Sequence, residues 1–238
     1  ADLVPALVEC AADQNHYIKG RASTILENLV STHPERIAPA VVDVLNRLPF
    51  DDETVAPVVG SLQDEVRNSP DVASKVDVNE ATSLLSSDCH SARKVGFTLL
   101  GSSTDPCAVD ELAKWTDVGG AEVKRAAEEA MERLAERAIE RLGTDGVERA
   151  VESLCRVAKA DPTVLQPYLG EILSLFERRP REAFGDLLFQ LLVEESDVRG
   201  ELLNRLGTLA LPEDPVDQDA QVSAEVALDV IVRFQYGN

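Results

Sequence analysis

Apolar residues recur along almost the whole chain at i, i+3, i+4 and i+7, and almost no stretch alternates with period two. The periodicity predicts helices over residues 2–12, 15–32, 34–48, 52–67, 70–86 (broken near Asp77), 88–102, 106–117, 120–142, 145–160, 162–179, 181–195, 197–210 and 220–235. The connections are short. Ser69-Pro70, Asp105-Pro106 and Asp161-Pro162 each place a capping side chain before a proline at the first helical position. There the side-chain oxygen accepts from an orphaned backbone N–H, and proline has no N–H to orphan. The fold class these patterns predict is all-α.

The pattern also repeats. Aligning residues 22–48 with 150–176 superposes Ala22 on Ala150, Leu26 on Leu154, Ile37 on Leu165 and Leu45 on Leu173. Two prolines superpose as well, Pro34 on Pro162 and Pro39 on Pro167. The first of each pair suits the helix start. The second removes an early helical hydrogen bond and predicts a bend shaped for stacking on neighbours. "LVPALVE" (3–9) matches "IAPAVVD" (37–43), so the chain's beginning joins the series. A second pattern opens "YIKGRASTIL" (from 17), "ARKVGFTLL" (from 92) and "VKRAAEEAM" (from 123) with an apolar or small residue, then a base, then small and apolar residues.

Paired helices with this signature resemble HEAT-repeat proteins of the armadillo type. In that family the first helix of a repeat carries a proline, the turn an Asp, and the second helix a base about six residues later. Pro5, Asp13 and Lys19 stand in that order, as do Asp88 and Lys94; Asp117 and Lys124 are one residue further apart, and Asp197 and Arg199 are closer. The resemblance implies a right-handed α-α superhelix, a solenoid of about six antiparallel helix pairs. On that reading residues 1–238 form one domain, with a loop at 211–219 before a C-terminal capping helix at 220–235, whose apolar face is Val222, Val226, Val230 and Phe234. It implies a non-catalytic protein-binding scaffold more often than a catalyst, the partner being another protein held on an inner face built from the second helices.

Charge adds an environment. The 238 residues carry 43 acids against 23 bases, a formal charge of −20, and the bases are mostly Arg. Such an excess disfavours nucleic acid and anionic membrane surfaces as partners. The regular apolar spacing excludes disorder. A carboxylate-coated, Lys-poor surface resembles proteins of extreme halophiles, in which molar salt screens self-repulsion; the other reading is an ordinary acidic protein. Cys10, Cys89, Cys107 and Cys155 form no CxxC pair and fall among helical apolar positions, so buried, reduced thiols and a cytoplasmic location are expected. No basic leader opens the sequence and no run approaches a membrane span.

Two basic features are candidate partner-binding sites. Arg133, Arg137 and Arg141 form an i, i+4, i+8 stripe, each preceded by a Glu; this is either a cationic ridge or a solvated face laced by Glu129–Arg133 and Arg137–Glu140 pairs. Arg178, Arg179 and Arg181, flanked by Phe176 and Phe184, are either an anchor for an acidic partner or cations opposing a helix dipole. His16, His33 and His90 stand far apart, so no metal set is assigned, and no nucleotide, zinc-hydrolase or nucleophile-elbow motif occurs. No cofactor and no catalytic residue is expected. HEAT-like folds also include bilin lyases, iron-dependent hydroxylases, whose His-Glu motifs are missing here, and glycosylases that excise alkylated DNA bases. A glycosylase calls for a basic, aromatic cleft, against which stand one Trp and the net charge. That enzymatic reading and a structural module of a larger complex are the alternatives.

Screening of the acids predicts a melting temperature that rises steeply with KCl between roughly 0.1 and 3 M. A Tm indifferent to salt across that range rejects the halophile reading.

Overall fold

In a computed structural model the described residues are 3–11, 15–47, 52–118, 120–144, 146–194, 199–211 and 218–237. They form fourteen α-helices, one 3-10 helix and no strand, so the chain is all-α. The helices are α1 (Val4–Ala11), α2 (His16–Thr32), α3 (Pro34–Arg47), α4 (Asp52–Asn68), α5 (Pro70–Ala73), α6 (Val78–Leu85) and α7 (His90–Leu100). They continue with α8 (Cys107–Val118), α9 (Ala121–Leu142), α10 (Val147–Ala160), the 3-10 helix Pro162–Tyr168, α11 (Leu169–Arg178), α12 (Phe184–Glu194), α13 (Arg199–Leu209) and α14 (Gln218–Tyr236). None is long and apolar enough to cross a membrane. The chain divides into two compact units, one of Ala1–Ser103 with Glu111–Leu134, the other of Thr104–Asp110 with Ala135–Asn238.

Local chemistry sets the helix starts. Asp77, where the sequence predicted a break, caps α6 by accepting from the Asn79 N–H at 2.8 Å. Asn15 caps α2 at 3.0 Å, and Asp105 accepts from the Cys107 N–H at 2.9 Å as α8 begins. Asp161 caps the 3-10 helix through the Thr163 N–H at 3.1 Å and its hydroxyl at 2.6 Å.

Two expected helices are altered. Residues 162–179 are not one α-helix: a 3-10 helix runs through Pro167 and only then gives way to α11. Proline has no N–H for either ladder, and α-helical bonding resumes only past it, from Leu169. The equivalent Pro39 stands inside a continuous α3. Burial nevertheless follows the repeat, since Ala22, Leu26, Ile37 and Leu45 are buried and so are Ala150, Leu154, Leu165 and Leu173. The helix expected over 181–195 begins at Phe184, because Arg181 and Glu182 form a turn that accepts from Phe184 and Gly185.

In the first unit the helices stack as repeated pairs. The first helices pack in series, α1 on α3 and α3 on α6, and the second helices likewise, α2 on α4 and α4 on α7. In the second unit α10, α12 and α14 form such a series. The final helix buries Val226 and Val230 of its expected apolar face and half-buries Val222 and Phe234. Arg233 clamps it, bonding Asp186 at 3.0 Å and lying 4.4 Å over the Phe189 ring. Of the loop expected at 211–219, residues 212–217 lie outside the described residues, and Gln218 and Asp219 already belong to α14. Asp13 and Asp197 of the repeat signature also lie outside them.

Two glycines fix the packing of α7. A Cβ at Gly96 would sit 2.9 Å from the Ala81 carbonyl oxygen of α6, and one at Gly101 2.7 Å from the Ala130 oxygen of α9. Backbone cannot yield as a flexible side chain can. Gly96→Ala and Gly101→Ala are each expected to destabilise by about 1–3 kcal/mol, whereas Gly20→Ala, on an open face of α2, gains about 0.5–1 kcal/mol. Thermal melts of the three variants check the ordering; equal Tm values for Gly101→Ala and Gly20→Ala contradict it.

Candidate functional site

The second helices of the first unit do more than pack. Along α4, α7 and α9 the chain leaves an open groove of about 270 Å³. Residues at helical spacing line it: Gln63 and Arg67 from α4; His90, Arg93, Lys94, Phe97 and Thr98 from α7; and Glu122, Val123, Arg125, Ala126, Glu129 and Arg133 from α9. The floor is ordered. Phe97 is buried edge-on against Trp115 with ring centroids 6.4 Å apart. Gln63 Nε2 donates to Thr98 Oγ1 at 3.1 Å, and that hydroxyl donates to the Lys94 carbonyl at 2.9 Å.

Above the floor the charge is mostly positive. Five permanent cations and His90 face two carboxylates, Glu122 and Glu129. Arg93 is pinned by a 2.6 Å bond from Nη1 to the Ser87 carbonyl just past the end of α6, where a cation answers the helix dipole. His90 Nε2 lies 3.4 Å from Glu122, and Arg125 Nε lies 3.5 Å from Glu129. Lys94 is exposed, and its ammonium has no hydrogen bond or ion pair among the described residues. The groove therefore presents donors to an anion on a rigid base.

Of the arginines expected at a site, Arg133 lines this groove. It is half-buried, and the neighbouring Glu129 lies 3.5 Å from Arg125 Nε. Arg137 and Arg141 belong to the second unit, also half-buried. Burial lowers the Arg137 pKa from its ordinary value, against the pull of Glu140. Arg178, Arg179 and Arg181 are exposed, but their flanking Phe176 and Phe184 are core residues 5.6 Å apart and offer no aromatic surface beside them. Arg179 instead donates from Nη1 to the Gly143 carbonyl at 2.5 Å, in the turn after α9. Sequence reasoning missed Arg67, Arg93, Lys94 and Arg125. Three of these are bases of the repeated pattern from residues 92 and 123, which in sequence signals only helix pairing.

The second unit holds a cavity of about 510 Å³ lined by Glu148, Glu152, Cys155, Lys159, Asp186 and Arg233 among others. Burial, reinforced by Asp186, pushes its Cys155 thiol up to about 11, which keeps it protonated at neutral pH. Expectation and structure differ over the other cysteines, since only Cys89 is buried while Cys10 and Cys107 are exposed. The reason is that each of the exposed two falls on the outward side of a short helix near its end. No group of three His, Cys, Asp or Glu among the described residues is placed to hold a metal.

No family model matches the chain, and no curated protein does. Among solved structures it is similar to two engineered proteins from a structural-genomics consortium. The first is 16% identical with a TM-score of 0.43, over 96% of this chain and 68% of that one. The second is 20% identical with a TM-score of 0.41, over 97% of each. A designed armadillo repeat protein in complex with the peptide (KR)4 is 11% identical with a TM-score of 0.31, over 95% of this chain and 98% of that one.

Thiol chemistry gives a test of the Cys155 environment. The thiolate is the reactive form, so a raised pKa leaves Cys155 protonated at neutral pH. Alkylation near pH 8 is expected to label exposed Cys10 well before Cys155, whose rate climbs only as the pH approaches about 11. Peptide mapping after timed alkylation reads this; equal rates at pH 8 contradict it.

Proposed function

We propose that this chain is a non-catalytic helical-repeat scaffold that holds another protein on the α4–α7–α9 face of its first unit. The observation that carries the reading is the groove itself: an ordered floor and converging cations on the second helices, the face on which a HEAT-type stack was expected to bind. The four free cysteines favour a reducing, cytoplasmic setting, and the −20 charge favours work at high salt.

The test is capture from the source cell's lysate at its native ionic strength, with the intact chain and with a Lys94→Glu/Arg125→Glu variant. One stoichiometric partner is expected on the intact chain and not on the variant. A partner held equally by both places binding on another face; a blank with both rejects the scaffold.

A further inference from the structure

The sign of the groove says more than that something binds. In a chain with 43 acids and 23 bases, a groove with five permanent cations against two carboxylates is the reverse of the average surface. Resting on the scaffold reading, we propose that the occupant is an extended acidic segment of a partner protein, its Asp or Glu carboxylates bound by Lys94, Arg125 and Arg93.

Each of the three has capacity to spare. Lys94 offers an exposed ammonium with three donors. Arg125 faces Glu129 at 3.5 Å with both side chains largely exposed, a weak contact that an incoming carboxylate can exchange at little cost. Arg93 spends Nη1 on the Ser87 carbonyl, which orients the guanidinium and leaves its other donors for a ligand. A carboxylate fits the planar fork of each arginine.

The same lining separates a peptide from a nucleic acid. DNA carries a phosphate charge about every 1.7 Å of duplex axis, and such a continuous run sets charge against Glu122 and Glu129 within the groove and against the acidic surface around it. A peptide spaces its carboxylates and brings backbone N–H groups between them, which Glu122 and Glu129 accept. A groove of about 270 Å³ holds a few side chains, the size of a peptide register.

Fluorescence anisotropy decides it, at roughly 0.1 M salt. The probes are a labelled peptide alternating Glu and Gly, a peptide alternating Lys and Gly, and a short DNA duplex of the same total charge as the acidic peptide. The acidic peptide is expected to bind the intact chain and to lose at least about tenfold in affinity in Lys94→Ala/Arg125→Ala, both exposed sites where circular dichroism checks folding. The Lys peptide is expected not to bind. Tighter binding of the DNA through the same residues overturns the assignment, as does acidic-peptide binding untouched by the double substitution. Sedimentation of the chain alone adds the remaining occupant: self-association lost in the variant makes it a second copy and overturns the proposal. If the acidic peptide fails while the lysate partner still depends on Lys94 and Arg125, the scaffold stands and the acidic occupant falls.

Discussion

The first unit depends on how closely α7 can approach its neighbours. At Gly96 and Gly101 the missing Cβ atoms let the α7 backbone lie against the Ala81 and Ala130 carbonyl oxygens, nearer than any side chain permits. Such contacts set helix separation, and separation sets which side chains of three helices share a space. Lys94 lies roughly 160° round the helix from Gly96, so the face pressed into α6 and the face offered to the groove are two sides of one element. The Gln63–Thr98 bond then ties α4 to the same floor.

Arginine recurs in one structural role across both units. Arg93 donates to the Ser87 carbonyl past the end of α6, Arg179 to the Gly143 carbonyl past the end of α9, and Arg199 to the Leu192 and Val193 carbonyls at the end of α12. Each answers the unpaired carbonyls and negative pole of a helix C-terminus. A guanidinium suits this because its fork can serve two acceptors, as Arg199 does, where an ammonium is a point charge. That use gives a structural reason for a chain with so few lysines to be rich in arginine. Arg179, read in sequence as part of a basic cluster, takes the same role with one of its donors.

A cationic groove in an acidic chain involves no contradiction. Charges beyond about 8–10 Å are largely screened at physiological salt, so the local set governs the local field. At molar salt the range shrinks to roughly 3 Å, which leaves direct carboxylate–guanidinium contacts effective while long-range steering fades. A site of short, geometrically defined donors is the kind that still discriminates under such conditions.

Much of the fold was legible from residue order, because helix formation is a local matter: the 3.6-residue apolar period, the break near Asp77 and Asp161 as a cap declare themselves within one or two turns of chain, and the Leu26/Leu154 and Leu45/Leu173 matches follow from the repeat. At Pro167 the chain takes a 3-10 helix, while the equivalent Pro39 stands inside a continuous α3, a difference that no local signal distinguishes. The groove was not legible. Arg67, Arg93, Lys94 and Arg125 come from three helices, and no spacing along the chain states that their faces converge. Sequence alone determined that helices form, where most begin and which residues turn inward, since these follow from neighbours a few residues away. Only tertiary structure decided which outward-facing cations meet, because that follows from how closely two glycines let separate helices approach.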